Sequence, residues 1–93
     1  MTAYIVAEID VTDANAYEPY KKMAGESIQR HGGKFLARGG RTVPLEGDKP
    51  RRVVIIEFPS VDAAEKFYHS PDYQTAVKVR QKTSKGRLYI VEG

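Results

Sequence analysis

Arg80 is the polar residue whose setting points most directly to chemistry. Tyr73, Ala76, Val77 and Arg80 recur at i, i+3, i+4 and i+7, so a helix through them carries the guanidinium on the face whose apolar residues must pack on something. An arginine so placed has two readings. In the structural one, its head pairs with a buried carboxylate, or its stem packs while the head reaches water near the helix C-terminus, where a cation is favoured. In the functional one, it anchors a carboxylate, enolate or phenolate in a cleft between helices and sheet. Tyr17, Tyr20, Phe58 and Tyr73 are the rings expected beside it. With Arg38 and His69 they complete the candidate ligand-binding set, and apolar walls around one charged anchor suit a compact aromatic or carbonyl-containing anion.

The other titratable residues offer weaker constellations. Glu8, Glu57 and Glu92 each end an apolar run, but an antiparallel sheet places Glu8 at the opposite end from the other two. Strand-end solvation or ion pairing, with Arg38 and Arg52 as the expected partners of Glu8, fits better than paired acid–base catalysis, which needs the carboxylates close together. His31 and His69 fall near helix C-termini, where capping is the simple reading. Neither has metal-ligand spacing and the chain contains no cysteine, so no metal or other intrinsic cofactor is expected. No serine has a nucleophile-elbow context, and Gly32-Gly33 and Gly39-Gly40 match no phosphate-binding glycine pattern.

The element that must position these groups is Arg51–Phe58. Val53 to Ile56 form an unbroken apolar run, which in a strand shows apolar side chains on both faces. Residues 3–10 read as another such strand. From Tyr17 the positions Tyr17, Tyr20, Ala24 and Ile28 have helical spacing; Pro19 is tolerated in a first turn, so the regular helix is expected to begin near Tyr17. Gly32-Gly33 stops it. Lys34–Gly40 is a second strand with Phe35 and Ala37 opposite Leu36 and Arg38, and Gly39-Gly40 marks a bulge or fraying at its end. Arg41–Pro50 holds Pro44, Gly47, Asp48 and Pro50 and reads as a long hairpin loop. Ser60 caps a short helix with Val61, Ala64, Phe67 and Tyr68 on its apolar face. Ser70-Pro71-Asp72 starts a helix to Thr83, Lys85-Gly86 breaks it, and Arg87–Glu92 is the last strand.

The resulting βαββααβ order predicts an α+β, ferredoxin-like sandwich: one domain over residues 1–93, with a four-stranded antiparallel sheet, the first and third strands central, and helices on one face. If Phe58 points toward the helices, the other face carries Val6, Val53, Ile55, Leu88 and Ile90, a patch that calls for a cover. A second copy of the chain is the simplest one. At 93 residues the core is small, and dimerisation would add buried area.

Fifteen basic and twelve acidic residues give a net charge of +3, but Lys and Arg are scattered and the dense pairs Lys21-Lys22 and Arg51-Arg52 lie near acids. That is a solvated mixed surface rather than a nucleic-acid patch. An RNA-recognition domain shares the strand order, yet the third strand here offers Val53 to Ile56 instead of stacking aromatics. No signal peptide or membrane span is evident, and a soluble cytoplasmic protein is the expectation.

Several spaced motifs also carry a resemblance. The run Gly32-Gly33-Lys34-Phe35-Leu36-Ala37-Arg38-Gly39-Gly40, then Glu46-Gly47, Arg52–Ser60, Ser70-Pro71-Asp72-Tyr73-Gln74 and Arg80 resemble the domain-of-unknown-function family 1330 over essentially the whole chain. The resemblance implies a dimeric α+β barrel in which two ferredoxin-like sheets face each other. It implies no settled activity; the wider group with this barrel includes cofactor-independent oxygenases, isomerases and haem enzymes, an analogy of fold. The functional expectation is a small-molecule-binding homodimer, either a cofactor-independent, oxygenase- or isomerase-like enzyme acting on a small carbonyl or aromatic anion, or a ligand-binding or structural dimer module without turnover.

Overall fold

In the computed structural model, which describes residues 1–93, the elements run β1 (Ala3–Val11), α1 (Ala14–Arg30), β2 (Lys34–Arg38), β3 (Arg52–Phe58), α2 (Val61–His69), α3 (Pro71–Thr83) and β4 (Ser84–Glu92). The four strands form one antiparallel sheet in the order β2-β3-β1-β4, with β3 and β1 central as the hydrophobic runs require. This is the expected ferredoxin-like α+β architecture.

Opposed residues of an antiparallel pair share a face. β1 places Ile5 opposite Ile56 and Ile90, and Ala7 opposite Val54 and Leu88. These residues lie on the helix side, where Ile5, Ala24, Ile28, Phe58, Phe67, Tyr73 and Val77 build the main core. Phe58 stacks on Phe67 with ring centroids 5.2 Å apart, and burying each ring contributes roughly 1.5–3 kcal/mol. The opposite parity puts Val6, Ile55 and Tyr89 together on the open face, flanked by Val53 and by Val91. Val6, Val53 and Ile55 thus fall as expected, but Leu88 and Ile90 do not: the register turns them toward the helices, and Tyr89 and Val91 take their places, 41% and 44% exposed.

The helix boundaries follow local chemistry. α1 begins at Ala14, three residues before the expected start, because Asp13 caps it by accepting from the Ala16 amide at 3.1 Å. Pro19 then lies inside the helix and leaves the Asn15 carbonyl without its i+4 donor. At the other end Gly32 takes φ +76° and the Gly33 amide reaches back to the Ile28 carbonyl at 2.9 Å, a Schellman closure. Ser60 and Ser70 cap α2 and α3 as their sequence contexts suggest.

Two strand details differ from expectation. The β2 irregularity lies between Phe35 and Ala37, not at Gly39-Gly40, so Phe35 and Arg38 share the helix-side face instead of opposing one another. Nor does Gly86 break the chain. α3 passes directly into β4 at Ser84, and Gly86 pairs with Ile9 inside the strand. A Cβ at Gly86 would strike the Glu8 carbonyl oxygen; glycine is what allows this close approach. Gly86→Ala is expected to cost about 1–3 kcal/mol of stability, through backbone displacement, measurable by urea unfolding. An unchanged midpoint would show that the β1–β4 pair has room for a methyl group.

Candidate functional site

Between α1, α3 and the helix side of the sheet lies a cavity of about 40 Å³. Its sheet wall includes Ile5, Ala7, Val54, Ile56 and Leu88; α1 contributes Tyr17, Tyr20 and Ala24, and α3 contributes Tyr73. The charged residues lining it are Lys21, Arg38 and Arg52, all cations. A single water needs roughly 10–15 Å³, so the cavity has room for a few waters. Outside it, an open groove shares Lys21, Ile28, Phe35 and Arg38 and adds Lys22, Gly25 and Glu26. That groove is the approach to the mouth.

Each cation has a structural reason for its place. Arg52 pairs with Ile9, two residues before Val54 on the same face. Arg38 reaches that face because of the β2 bulge, and its guanidinium lies 4.2 Å from the Phe35 ring centroid, a cation–π contact. Lys21 follows Tyr20 on α1 and pairs with Glu18 at 3.0 Å on the exposed side. Arg38 and Arg52 form no ion pair, and Arg52 Nε is buried without a hydrogen-bond partner.

Four of the seven sequence-selected residues converge on this cavity: Tyr17, Tyr20, Tyr73 and Arg38. Arg80 is buried, 9% exposed, yet it does not line the cavity. Phe58 is committed to the core against Phe67. His69 ends α2 on the surface, with its ring edge-on to Tyr68 at 5.1 Å. His31 caps α1, its Nδ1 lying 2.8 Å from the Ser27 carbonyl. Arg52 and Lys21 are the lining residues that sequence reasoning missed as ligand groups. Strand parity, counted back from Ile56, was the signal for Arg52.

The ion pairing expected of Glu8 is also corrected. Glu8 lies on the open face opposite Arg87, accepts from Arg87 Nη2 at 3.1–3.3 Å and from the Tyr89 hydroxyl at 3.0 Å, while Arg38 and Arg52 face the other way. Glu57 lies opposite Tyr4 and Lys34, and no group of acids and histidines is arranged to hold a metal ion.

At the back of the cavity the Tyr20 and Tyr73 hydroxyls lie 2.7 Å apart. Burial raises both phenol pKa values; the Tyr73 neighbour adds to the rise at Tyr20, and the Arg80 charge opposes it at both. Closure of α1 on α3 brings the two together, and Arg30 Nη1 at the end of α1 donates to Asp72, the residue before Tyr73, at 2.7 Å.

A ferredoxin-like α+β chain with an aromatic, cation-lined cavity between helices and sheet is the class these features define. The chain belongs to the family described as domain of unknown function (DUF1330), whose profile matches residues 2–93. Among solved structures it resembles RPA0582, a protein of unknown function from Rhodopseudomonas palustris, at 26% identity and TM-score 0.79, over 99% of this chain and 82% of that one. SnoaB, a cofactor-independent oxygenase from Streptomyces nogalater, shares the fold at 13% identity and TM-score 0.72, with 99% and 92% covered. A dimeric protein of unknown function with a ferredoxin-like fold from Bacteroides fragilis aligns at 15% identity and TM-score 0.57, with 99% and 95% covered. No curated protein matches the chain, and no helix is long and apolar enough to cross a membrane.

The raised phenol pKa values give a pH dependence with a definite sign. The folded state holds the Tyr20 and Tyr73 protons more tightly than the unfolded chain, whose tyrosines titrate near about 10. Their contribution to stability is therefore complete below about pH 10 and is lost as pH rises beyond it. In an alkaline titration followed by phenolate absorbance, Tyr20 and Tyr73 should ionise only as far-UV circular dichroism is lost. Tyr20→Phe and Tyr73→Phe should each remove one phenol from that coupled step. Ionisation of all six tyrosines ahead of unfolding would contradict the arrangement.

Proposed function

We propose that this chain is a small-molecule-binding homodimer whose cavity takes a compact anion with an aromatic or carbonyl-containing body. The observation that carries the reading is the lining: apolar and aromatic walls with three cations and no carboxylate. A pocket of this composition excludes water from the ligand body, and Arg38 and Arg52, which have no ion-pair partner, are left to meet one anionic group. The anchor is the Arg38–Arg52 pair at the mouth, with Lys21 beside it, rather than Arg80 alone. Turnover without an intrinsic cofactor is the enzymatic form of this reading, and SnoaB shows that chemistry on the same fold. Binding without turnover is the alternative, favoured by the lack of any paired acid and base in the cavity.

Isothermal titration with benzoate and pyruvate tests the anion site. Removing one guanidinium, as Arg38→Ala or Arg52→Ala, should weaken binding of the better ligand by roughly 1.5–3 kcal/mol, on the order of tenfold or more in Kd. Failure of both carboxylates to bind, or binding indifferent to both substitutions, would overturn it. A ligand recovered unchanged after prolonged incubation would select the binding module over the enzyme.

The second copy belongs on the open sheet face, where Val6, Ile55 and Tyr89 stand side by side on neighbouring strands. The Bacteroides fragilis relative is described as dimeric. Sedimentation velocity at micromolar concentration should give the mass of two chains, and Ile55→Asp should give monomer or aggregate, because a lone carboxylate in that seam has no partner. A wild-type particle of one chain would sink the dimer.

A further inference from the structure

Arg38 and Arg52 have no ion-pair partner, so something other than a carboxylate holds their heads at the cavity. Arg38 is exposed, and a long exposed side chain without a partner ordinarily samples many rotamers. Its guanidinium instead meets the Phe35 ring at 4.2 Å and lies against Gly25 of α1. A Cβ on Gly25 would come within 3.2 Å of Arg38 Nη2, and within 4 Å of no other group packed against the helix.

Gly25 has no other evident reason to be glycine. It lies well inside α1 and its φ is not positive, so the backbone does not call for it, and at such a position glycine costs helix stability relative to alanine. The space it leaves is taken by the Arg38 head. Gly25 also lines the groove at the mouth together with Lys21 and Arg38. Arg52 has a matching seat. Gly39, directly after Arg38, has φ +70°, and its amide donates to the Val53 carbonyl at 2.9 Å. A Cβ there would overlap Nη1 and Cζ of Arg52, whose Nε is buried without a hydrogen-bond partner.

We infer that Gly25 and Gly39 are positioning residues of the anion site: each keeps open the space in which one anchoring guanidinium rests, and two forks held in this way select a carboxylate. The inference rests on the reading of the cavity as an anion site and names the anionic group that site takes. A guanidinium presents its donors as a planar fork that matches both oxygens of a carboxylate and meets the single oxygen of a phenolate less completely. The fork discriminates only while its plane is held. Holding it before the ligand arrives also lessens the entropy lost on binding. Ligand contact belongs to Arg38 and Arg52, and the glycines act through them.

Gly25→Ala separates this role from a structural one, because stability and binding should move in opposite directions. The methyl group restores helix propensity, so the unliganded protein should melt about 2–8 °C higher. It also displaces Arg38 Nη2, so isothermal titration should show benzoate held roughly threefold or more weaker. In an Arg38→Ala background the same change should leave benzoate affinity as it was. Wild type should prefer benzoate to 4-cyanophenolate at a pH where both are anions, and Gly25→Ala should narrow that preference. Gly39→Ala should weaken benzoate too, with a lower melting temperature because its φ disfavours a side chain. If Gly25→Ala binds benzoate as wild type does while Arg38→Ala weakens it, the seat is not needed and the anion site stands. A loss that persists in full in the Arg38→Ala background passes through the helix rather than the guanidinium and overturns the inference. Wild-type binding of 4-cyanophenolate as tight as that of benzoate overturns the carboxylate. Benzoate binding indifferent to Arg38→Ala and to Arg52→Ala removes the anion site and the inference with it.

Discussion

β1 pairs antiparallel with both β3 and β4, and opposed residues share a face, so one register assigns the side chains of three strands either to the cavity or to the open face. A one-residue slip of β4 would turn Leu88 and Ile90 out and bring Arg87 and Tyr89 into the apolar interior. The close approach of Gly86 to the Glu8 carbonyl, together with the Arg87 and Tyr89 contacts to Glu8, opposes that slip. β3 shows the same dependence. Arg52 belongs to the cavity because it shares parity with Val54 and Ile56, while Val53 and Ile55 between them belong to the open face.

The helix layer adds a second constraint, the packing of α1 on α3. It brings Tyr20 to Tyr73 and is also tied by Arg30 to Asp72, the residue beside Tyr73. An exposed ion pair of this kind contributes little by itself, typically about 0–1 kcal/mol. The greater share must come from burial of Ala24, Ile28, Ala76 and Val77. Against this stands the buried guanidinium, whose desolvation costs several kcal/mol when no carboxylate compensates it. Stability alone would be better served by an apolar residue at position 80.

Much of the fold was legible because periodicity and punctuation agreed: apolar runs at Ile5–Ile9 and Val53–Ile56, caps at Ser60 and Ser70, and the Gly32-Gly33 stop. The site was half legible. Tyr17, Tyr20 and Tyr73 follow from helical spacing toward a core, and Arg80 from its spacing to Tyr73. Two long-range facts were hidden. The bulge at Phe35–Ala37 reverses the parity of Arg38 relative to Phe35, and no local residue announces it. Whether β4 starts at Ser84 or at Arg87 changes which of its residues are taken to pair, and Gly86 reads as a breaker until the backbone of Glu8 is placed against it. His69 and Phe58 were drawn into the candidate set by type; their neighbours Tyr68 and Phe67 explain their actual positions.

The distribution of charge between the two faces sharpens the functional argument. On the open face Glu8 is satisfied by Arg87 and Tyr89, which lowers the cost of burying that carboxylate under a second copy. On the cavity side Arg38 and Arg52 are unpaired beside apolar walls. The sheet thus pairs Glu8 at the centre of the open face and leaves Arg38 and Arg52 unpaired where a small anion would enter. The mouth lies by β2, the edge strand, and opens between α1 and the sheet rather than through the open face, so a dimer would leave it free. The two sides meet only through the backbone of β3 and β1, where Val53 and Ile55 alternate with Arg52, Val54 and Ile56. Any influence of a partner chain on the cavity must therefore pass through the twist and register of those two strands.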